Sequence, residues 1–355
     1  MRQTRSCVFW FCVAVQLACG SWLVADEIET RDGKKILGTI QKEAANEVLI
    51  LSQGKTEPQS VAVNRIAKVH YTGQPALLTH ARSMEDAYEL RTAAEEYSKV
   101  QAELKGKPPI LQAAQFGEAR VLALLALDES TGLEESISRL EKFAQENSDT
   151  RHHFPLQKLR GRLYFAKKDF GKAVQAFEEL AKAPWTEARL ESLTYQGRVL
   201  RAQSKLDQAI VRFDEVVATK PESGDQQLVQ TEALLEKAKC LLAHDKREQE
   251  IKSLEQAIDV APMHAQDIQA EAYIALGDAY RATQRPKDAL LSFLHVELLF
   301  AKNKDLHARA LYNLVQLWNE LGQPDRAAAV RKNLKTIYPS SSWNKRLGSD
   351  EGVSR

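Results

Sequence analysis

Cysteine is nearly missing from the body of this 355-residue chain: of four, Cys7, Cys12 and Cys19 fall at the very start and Cys240 stands alone beyond them. One thiol closes no internal disulfide, and no cysteine pair has zinc-ligand spacing. The phosphate-binding spacing G-x-x-x-x-G-K-[ST], the zinc motif H-E-x-x-H and the nucleophile elbow G-x-S-x-G are all absent. An excess of either charge is missing too, with 49 Lys and Arg against 48 Asp and Glu. No global field therefore draws the chain to nucleic acid or an anionic membrane. The sequence predicts a binding protein that is not an enzyme, with no cofactor, no metal and no nucleic-acid partner. The acidic residues are mixed with Lys and Arg in the manner of a solvated helix surface, not of an acid/base site. His152 and His153 are adjacent in the polar stretch SDTRHHFP, with no further ligands spaced for a metal, and are expected to be solvated loop residues. Cys240 reads as a buried helix residue.

Long apolar runs are scarce, and the one that stands out is at the start. Arg2 and Arg5 precede an uncharged stretch over 6–25, and Asp26 and Glu27 then open ordinary polar sequence. Residues 1–25 thus have the pattern of a secretory signal, cleaved after Gly20 or Ala25. The run is also long enough for an uncleaved membrane anchor, and Leu17-Ala18-Cys19 is similar to part of a lipoprotein box with Cys19 as the lipidated residue. Export to the periplasm or cell envelope is the expectation under the first reading, and membrane attachment through residues 6–25 or Cys19 under the others.

Residues 26–72 predict a small all-β module, a barrel or curled sheet. Asp32-Gly33 is a hairpin signal, because glycine accepts a positive φ without steric cost, and Gln53-Gly54-Lys55 marks a second turn. Ile36, Ile40, Val48, Ile50, Val61, Val63, Ile66 and Val69 supply short β-branched runs, several in alternation, enough for about five strands. The strand rhythm resembles Sm-like and SH3-like barrels. The stacking aromatics of an RNA site are missing apart from His70 and Tyr71, so the module reads as a protein-interaction or packing unit.

Beyond residue 76 good helix formers dominate and proline and glycine are sparse. A frame recurs there. Gly161, Tyr164, Ala173, Phe177 and Leu180 stand at offsets 0, 3, 12, 16 and 19. The frame returns as Gly197, Leu200, Ala209, Phe213 and Val216, then as Ala238, Leu241, Glu250, Leu254 and Ala257. It returns again as Gly277, Tyr280, Ala289, Phe293 and Val296, and last as Val315, Trp318, Ala327, Arg331 and Leu334. From Ala173 through Ala209, Glu250, Ala289 and Ala327 the spacings are 36, 41, 39 and 38 residues. Small residues let two antiparallel helices approach while the large ones fill the flanks, and Pro221, Pro262 and Pro339 follow the second helix. The pattern expects Gly161 to face Ala173.

This frame resembles the tetratricopeptide repeat. The resemblance implies a mainly α fold, a right-handed α-solenoid of stacked helix hairpins over 111–340. Residues 76–110 read as a linker helix or half-repeat, 341–355 as a disordered tail, and Arg331 as a mark of a capping unit. The family's first helices line a groove that holds partner proteins, so the residue after each small position is implied to face it: Arg162, Arg198, Lys239, Asp278 and Gln316, with Lys158 and Arg201 adding charge. Lys158, Arg162, Arg198, Arg201 and Lys239 would make one half basic and suit an acidic or C-terminal-carboxylate segment. The asparagines of the family's carboxylate clamp are missing at the corresponding positions. The resemblance implies a protein-binding scaffold outside the cytoplasm; the alternative is a non-catalytic accessory subunit of a membrane-anchored envelope complex.

Overall fold

A computed structural model describes residues 25–104 and 108–353. The possible signal, anchor and Cys19 all lie outside them. The described residues begin with five antiparallel strands, β1 (Asp26–Thr30), β2 (Lys35–Glu43), β3 (Glu47–Leu51), β4 (Gln59–Ala62) and β5 (Ile66–His70). Their order is β4-β3-β2-β1-β5. The sheet is therefore a meander whose last strand returns to pair with the first, leaving β4 and β5 as its edges. Gly33 turns the first hairpin at φ +80°. Alternation puts Ile28, Ile36, Val48, Ile50, Val61 and Val69 on the buried face.

Seven helix hairpins follow among the described residues. They are α1 (Ala76–Asp86) with α2 (Leu90–Glu103), α3 (Pro108–Glu129) with α4 (Leu133–Glu146), and α5 (His153–Ala166) with α6 (Phe170–Leu180). Next come α7 (Thr186–Ala202) with α8 (Leu206–Val217) and α9 (Gly224–Ala243) with α10 (Arg247–Val260). The last are α11 (Gln266–Ala282) with α12 (Pro286–Leu299) and α13 (Lys304–Glu320) with α14 (Pro324–Ile337). A final helix, α15 (Ser342–Val353), packs on α13. Each hairpin packs on the next along the chain, which is the α-solenoid.

The turns share one device. Tyr88, Ser130, Lys168, Ser204, Asp245, Gln284 and Gly322, one per hairpin, all have positive φ. In six of the seven the next residue's N–H reaches back across the turn, as in Asp169 to the Tyr164 carbonyl at 2.9 Å and Gln323 to the Trp318 carbonyl at 2.8 Å. This closes the first helix in a Schellman motif. Six of these turn residues are not glycine, so the backbone bonds and packing of each hairpin offset a left-handed cost of about 1 kcal/mol.

Two expectations are corrected. Residues 76–103 are a complete hairpin and not a linker helix or half-repeat. Ala81, Met84, Ala93, Tyr97 and Val100 occupy the frame at offsets 0, 3, 12, 16 and 19, and all but Met84 are buried. The tail is not disordered through 342–353, because α15 covers the last hairpin. Leu347 is buried there, Trp343 packs on Tyr312 with ring centroids 5.6 Å apart, and Trp343 Nε1 donates to Asp305 at 3.1 Å.

The β module has no core of its own. Its buried face joins Leu78, Ala81, Leu90, Ala93, Tyr97, Val100, Ile110 and Ala114 of the first three helices in one apolar cluster. Polar ties extend further along the array. The Ala45 N–H donates to Asp149, and Arg151 Nε stands 2.7 Å from Glu43 Oε2. Arg31 reaches Asp225 of α9 at 3.4 Å. The module thus bridges several hairpins.

Candidate functional site

The frame residues pack as the repeat requires. Gly161, Ala173, Phe177, Gly197, Ala209, Phe213, Gly277, Ala289, Phe293 and Ala327 are buried. Tyr164 and Tyr280 are buried too, and their hydroxyls reach Glu141 and Glu255 of the preceding hairpin at 2.5 and 2.7 Å. Trp318 is half-buried beneath the Arg326 guanidinium, 4.7 Å from its ring centroid. The atoms that press on Gly161 belong to the Phe177 ring, not to Ala173. The same close approach joins Gly197 to Phe213 and Gly277 to Phe293, the last at 2.6 Å from a built Cβ.

Of the residues singled out for the groove, all but Arg162 and Gln316 lie on one ladder of ion pairs along the first helices. Lys158 of α5 meets Glu191 of α7 at 2.7 Å. Arg198 of α7 meets Glu232 of α9 at 2.9 Å, and Arg201 meets Glu236 at 3.0 Å. Lys239 of α9 meets Glu236 at 3.1 Å and Glu271 of α11 at 3.2 Å. At the next step the signs exchange, and Asp278 of α11 pairs with Arg309 of α13. The basic side chains are thus matched by acids of the following hairpin. Arg162, half-buried, has no ion pair among the described residues.

A cavity of about 520 Å³ opens between the β module and these same helices. Arg31, Val63, Asn64, Ile66 and Ala67 form its β side. Phe154, Lys158, Trp185, Tyr195 and Val229 are among its helical walls. Phe154 stacks edge-on against Trp185 at 5.3 Å between centroids. Charges of both signs surround this apolar wall, with Glu187, Glu191, Asp225 and Glu232 on the far side.

A second and smaller cavity, about 320 Å³, lies between β5 and α1 to α3, and is called the inner cavity to tell it from the first, outer one. Ala67, Phe116, Arg120, Arg151 and His152 line both cavities. Here another expectation is corrected: His152 is not a solvated loop residue. It is buried, its ring stacks on Phe116 at 4.1 Å, and its Nε2 has no hydrogen-bond partner among the described residues. Burial first, and then the Arg151, Arg120 and Arg82 guanidinium groups, hold its pKa well below the usual histidine value. Arg120 is gripped by Glu85 through two contacts of 2.6 Å. The Tyr71 hydroxyl donates to Glu43 at 2.6 Å, and burial pushes its pKa up to about 12. Arg82 gives one Nη1–H to the Val69 carbonyl at 2.7 Å and has no carboxylate partner among the described residues.

Sequence reasoning missed these walls because they come from strands and helices far apart in the chain. The adjacent run Arg151-His152-His153 was the one local hint. On β1 and β5, Glu27, Glu29 and His70 gather within metal-ligand reach of one another, but Lys35 already occupies Glu27 at 2.8 Å. Cys240 is buried on α9, and burial raises its thiol to about 11, as for an unreactive helix residue.

Repeated frame, repeated turn and stacked hairpins define a helical-repeat fold of the tetratricopeptide type, with a five-strand module packed on its first repeats. Among solved structures, the chain is similar to the apo form of RapI, with a TM-score of 0.58 at 13% identity over 78% of this chain and 80% of that one. Similarity also extends to BtubC from P. vanneervenii, with a TM-score of 0.49 at 14% identity over 61% and 92% of the two chains. A tetratricopeptide repeat protein from Parabacteroides merdae gives 0.46 at 14% identity over 77% and 96%. No protein-family model and no curated protein matches the chain.

Proposed function

We propose that this chain is a non-catalytic scaffold that acts outside the cytoplasm and holds a segment of a partner protein between its β module and the first helices of the array. The observation that carries the reading is the 520 Å³ cavity with Phe154, Trp185 and Tyr195 in its wall and charge of both signs at its rim. Its size and its combination of an aromatic wall with a charged rim suit a short peptide segment. Lys158 lies in that wall, and Arg162, Arg198, Arg201 and Lys239 continue the face along the array. An acidic or C-terminal segment of the partner would exchange with Glu191, Glu232, Glu236 and Glu271 for these cations. Charge exchange of this kind sets register and specificity more than raw affinity.

Action outside the cytoplasm rests on the basic, then apolar, then small-residue pattern of residues 1–25. The length of the apolar run over 6–25 favours a second reading, a membrane-anchored accessory subunit of an envelope complex. N-terminal sequencing after detergent fractionation separates the two. A soluble chain starting at Ser21 or Asp26 supports release, and an intact Met1 in the membrane fraction supports the anchor.

The binding reading is tested with a photo-crosslinking residue placed at Trp185, in the cavity, or at Arg212, on the outer helix α8. Crosslinks to one partner from position 185 and none from 212 support it. Crosslinks from 212 alone, or from neither site, refute it.

A further inference from the structure

We propose that the inner cavity is a binding site for one carboxylate group, held where Arg82, Arg120 and Arg151 face each other between β5 and the first helices. The inference does not require that the outer cavity hold a protein partner.

The argument is one of charge and donors. Three guanidinium groups line the cavity, and two carboxylates are committed to them: Glu85 to Arg120 and Glu43 to Arg151. Lys68 at the edge is balanced by Asp86 at 2.6 Å. One positive charge is left over, and it belongs to Arg82, whose hydrogen bond goes to the neutral Val69 carbonyl. An unpaired charge enclosed by protein is costly, and a bound counter-charge offsets that cost. One carboxylate closes the balance. A phosphate dianion would overshoot it and leave a buried negative charge.

The donors agree with that count. Guanidinium forks suit the two oxygens of a carboxylate. Arg120 is wrapped by strands and helices, yet 39% of its side-chain surface remains open, and both cavities it lines are where that surface can face. The orphaned His152 Nε2 offers another donor in its Nε2–H tautomer. Phe116 and Tyr97 line the remaining wall. The carboxylate could come from a small organic acid or from the free end of a peptide lying in the outer cavity, which shares five lining residues with this one.

The experiment is calorimetric and thermal titration of the full chain at constant ionic strength with sodium acetate, sodium benzoate, inorganic phosphate, and an acetylated tripeptide as free acid or as amide. Saturable binding of carboxylates that exceeds phosphate binding is expected. Arg82→Gln should weaken it about ten- to hundred-fold, the range of one charged hydrogen-bonded contact. Arg82→Lys keeps the charge without the fork and should recover part of it, which guards against a variant that merely folds poorly. Binding by acetate or benzoate assigns a small acid. Binding by the free-acid tripeptide that exceeds acetate, with none by its amide, assigns a chain end. Phosphate binding tighter than carboxylate, carboxylate binding unchanged in Arg82→Gln, or no saturable binding by wild type overturns the proposal.

Discussion

The edge of the Phe177 ring occupies the place where a Cβ on Gly161 would stand. Both residues are buried on facing helices of one hairpin, so the ring cannot withdraw without opening the pair. Gly197 with Phe213 and Gly277 with Phe293 repeat the arrangement.

Gly161→Ala is therefore expected to destabilise the fold. Alanine adds about 1 kcal/mol of helix propensity, but overpacking of a filled core costs about 1–3 kcal/mol. The clash should win. Gly171→Ala is the control, because nothing but Asp169 Oδ1 at 3.9 Å lies near a Cβ there; it should stabilise by up to about 1 kcal/mol. Urea unfolding of both variants decides, and a Gly161→Ala midpoint above wild type would refute the packing account.

Arg151→Leu should cost about 3–5 kcal/mol, because it leaves Glu43, 8% exposed, without its cation. The loss should centre on the junction of β2 with α5. Hydrogen exchange is the measurement: earlier exchange of β2 and β3 amides than of α11 to α14 is expected, and uniform loss across the chain contradicts it.

Glu236→Gln removes the acid shared by Arg198, Arg201 and Lys239. Contacts to charged groups of this kind are each worth about 1.5–3 kcal/mol when they are partly buried. An overall loss of about 2 kcal/mol is expected, shrinking in high salt. Glu179→Gln, which breaks an exposed pair with Lys182, should change stability by less than about 1 kcal/mol. Equal losses for the two variants would show that the ladder contributes nothing special.

Acid should weaken the fold as soon as pH falls into the range where a free histidine takes up its proton. His152 is held neutral in the native state, with its pKa well below the ordinary histidine value. The unfolded chain binds this proton first, so stability is full above about pH 6.5 and falls as pH drops, by up to about 1.4 kcal/mol per unit. His152→Phe keeps the stack on Phe116 and should flatten that slope. An unchanged slope between pH 6.5 and 5 would place the effect on His70, His153 or His307, whose pKa values are also lowered by burial.

The repeat itself was legible because hairpin packing fixes residue size at fixed offsets. Gly161, Phe177, Gly277 and Phe293 announce it in the sequence. The first hairpin was hidden because Met84 stands where tyrosine marks two other repeats. In α3–α4 the link Ser130-Thr131-Gly132 shifts the frame by one residue, so the buried positions fall at Ala123, Ser136 and Leu140. The β module was legible from alternation and turn residues, but its docking was not, since apolar contact between distant segments leaves no local period. The groove cations were visible as charges. Their acids, Glu191, Glu232 and Glu271, lie roughly a repeat away, and no spacing rule singles them out from the many other surface carboxylates. α15 escaped notice because Trp343 and Leu347 sit among serines and charges that resemble a free end.

The joint apolar cluster of strands and helices sets an order of events in the life of the chain. As the chain emerges from the ribosome, the strands precede the helices they pack on, and the apolar cluster of Ile28, Val48 and Ile50 is incomplete until the segment through Ala114 has followed. The sheet must wait, unfinished, for the first three helices. Separating the two at residues 72–76 would yield a sheet with a bare oily side and an array with an uncovered first hairpin, and neither piece would be expected to stay in solution.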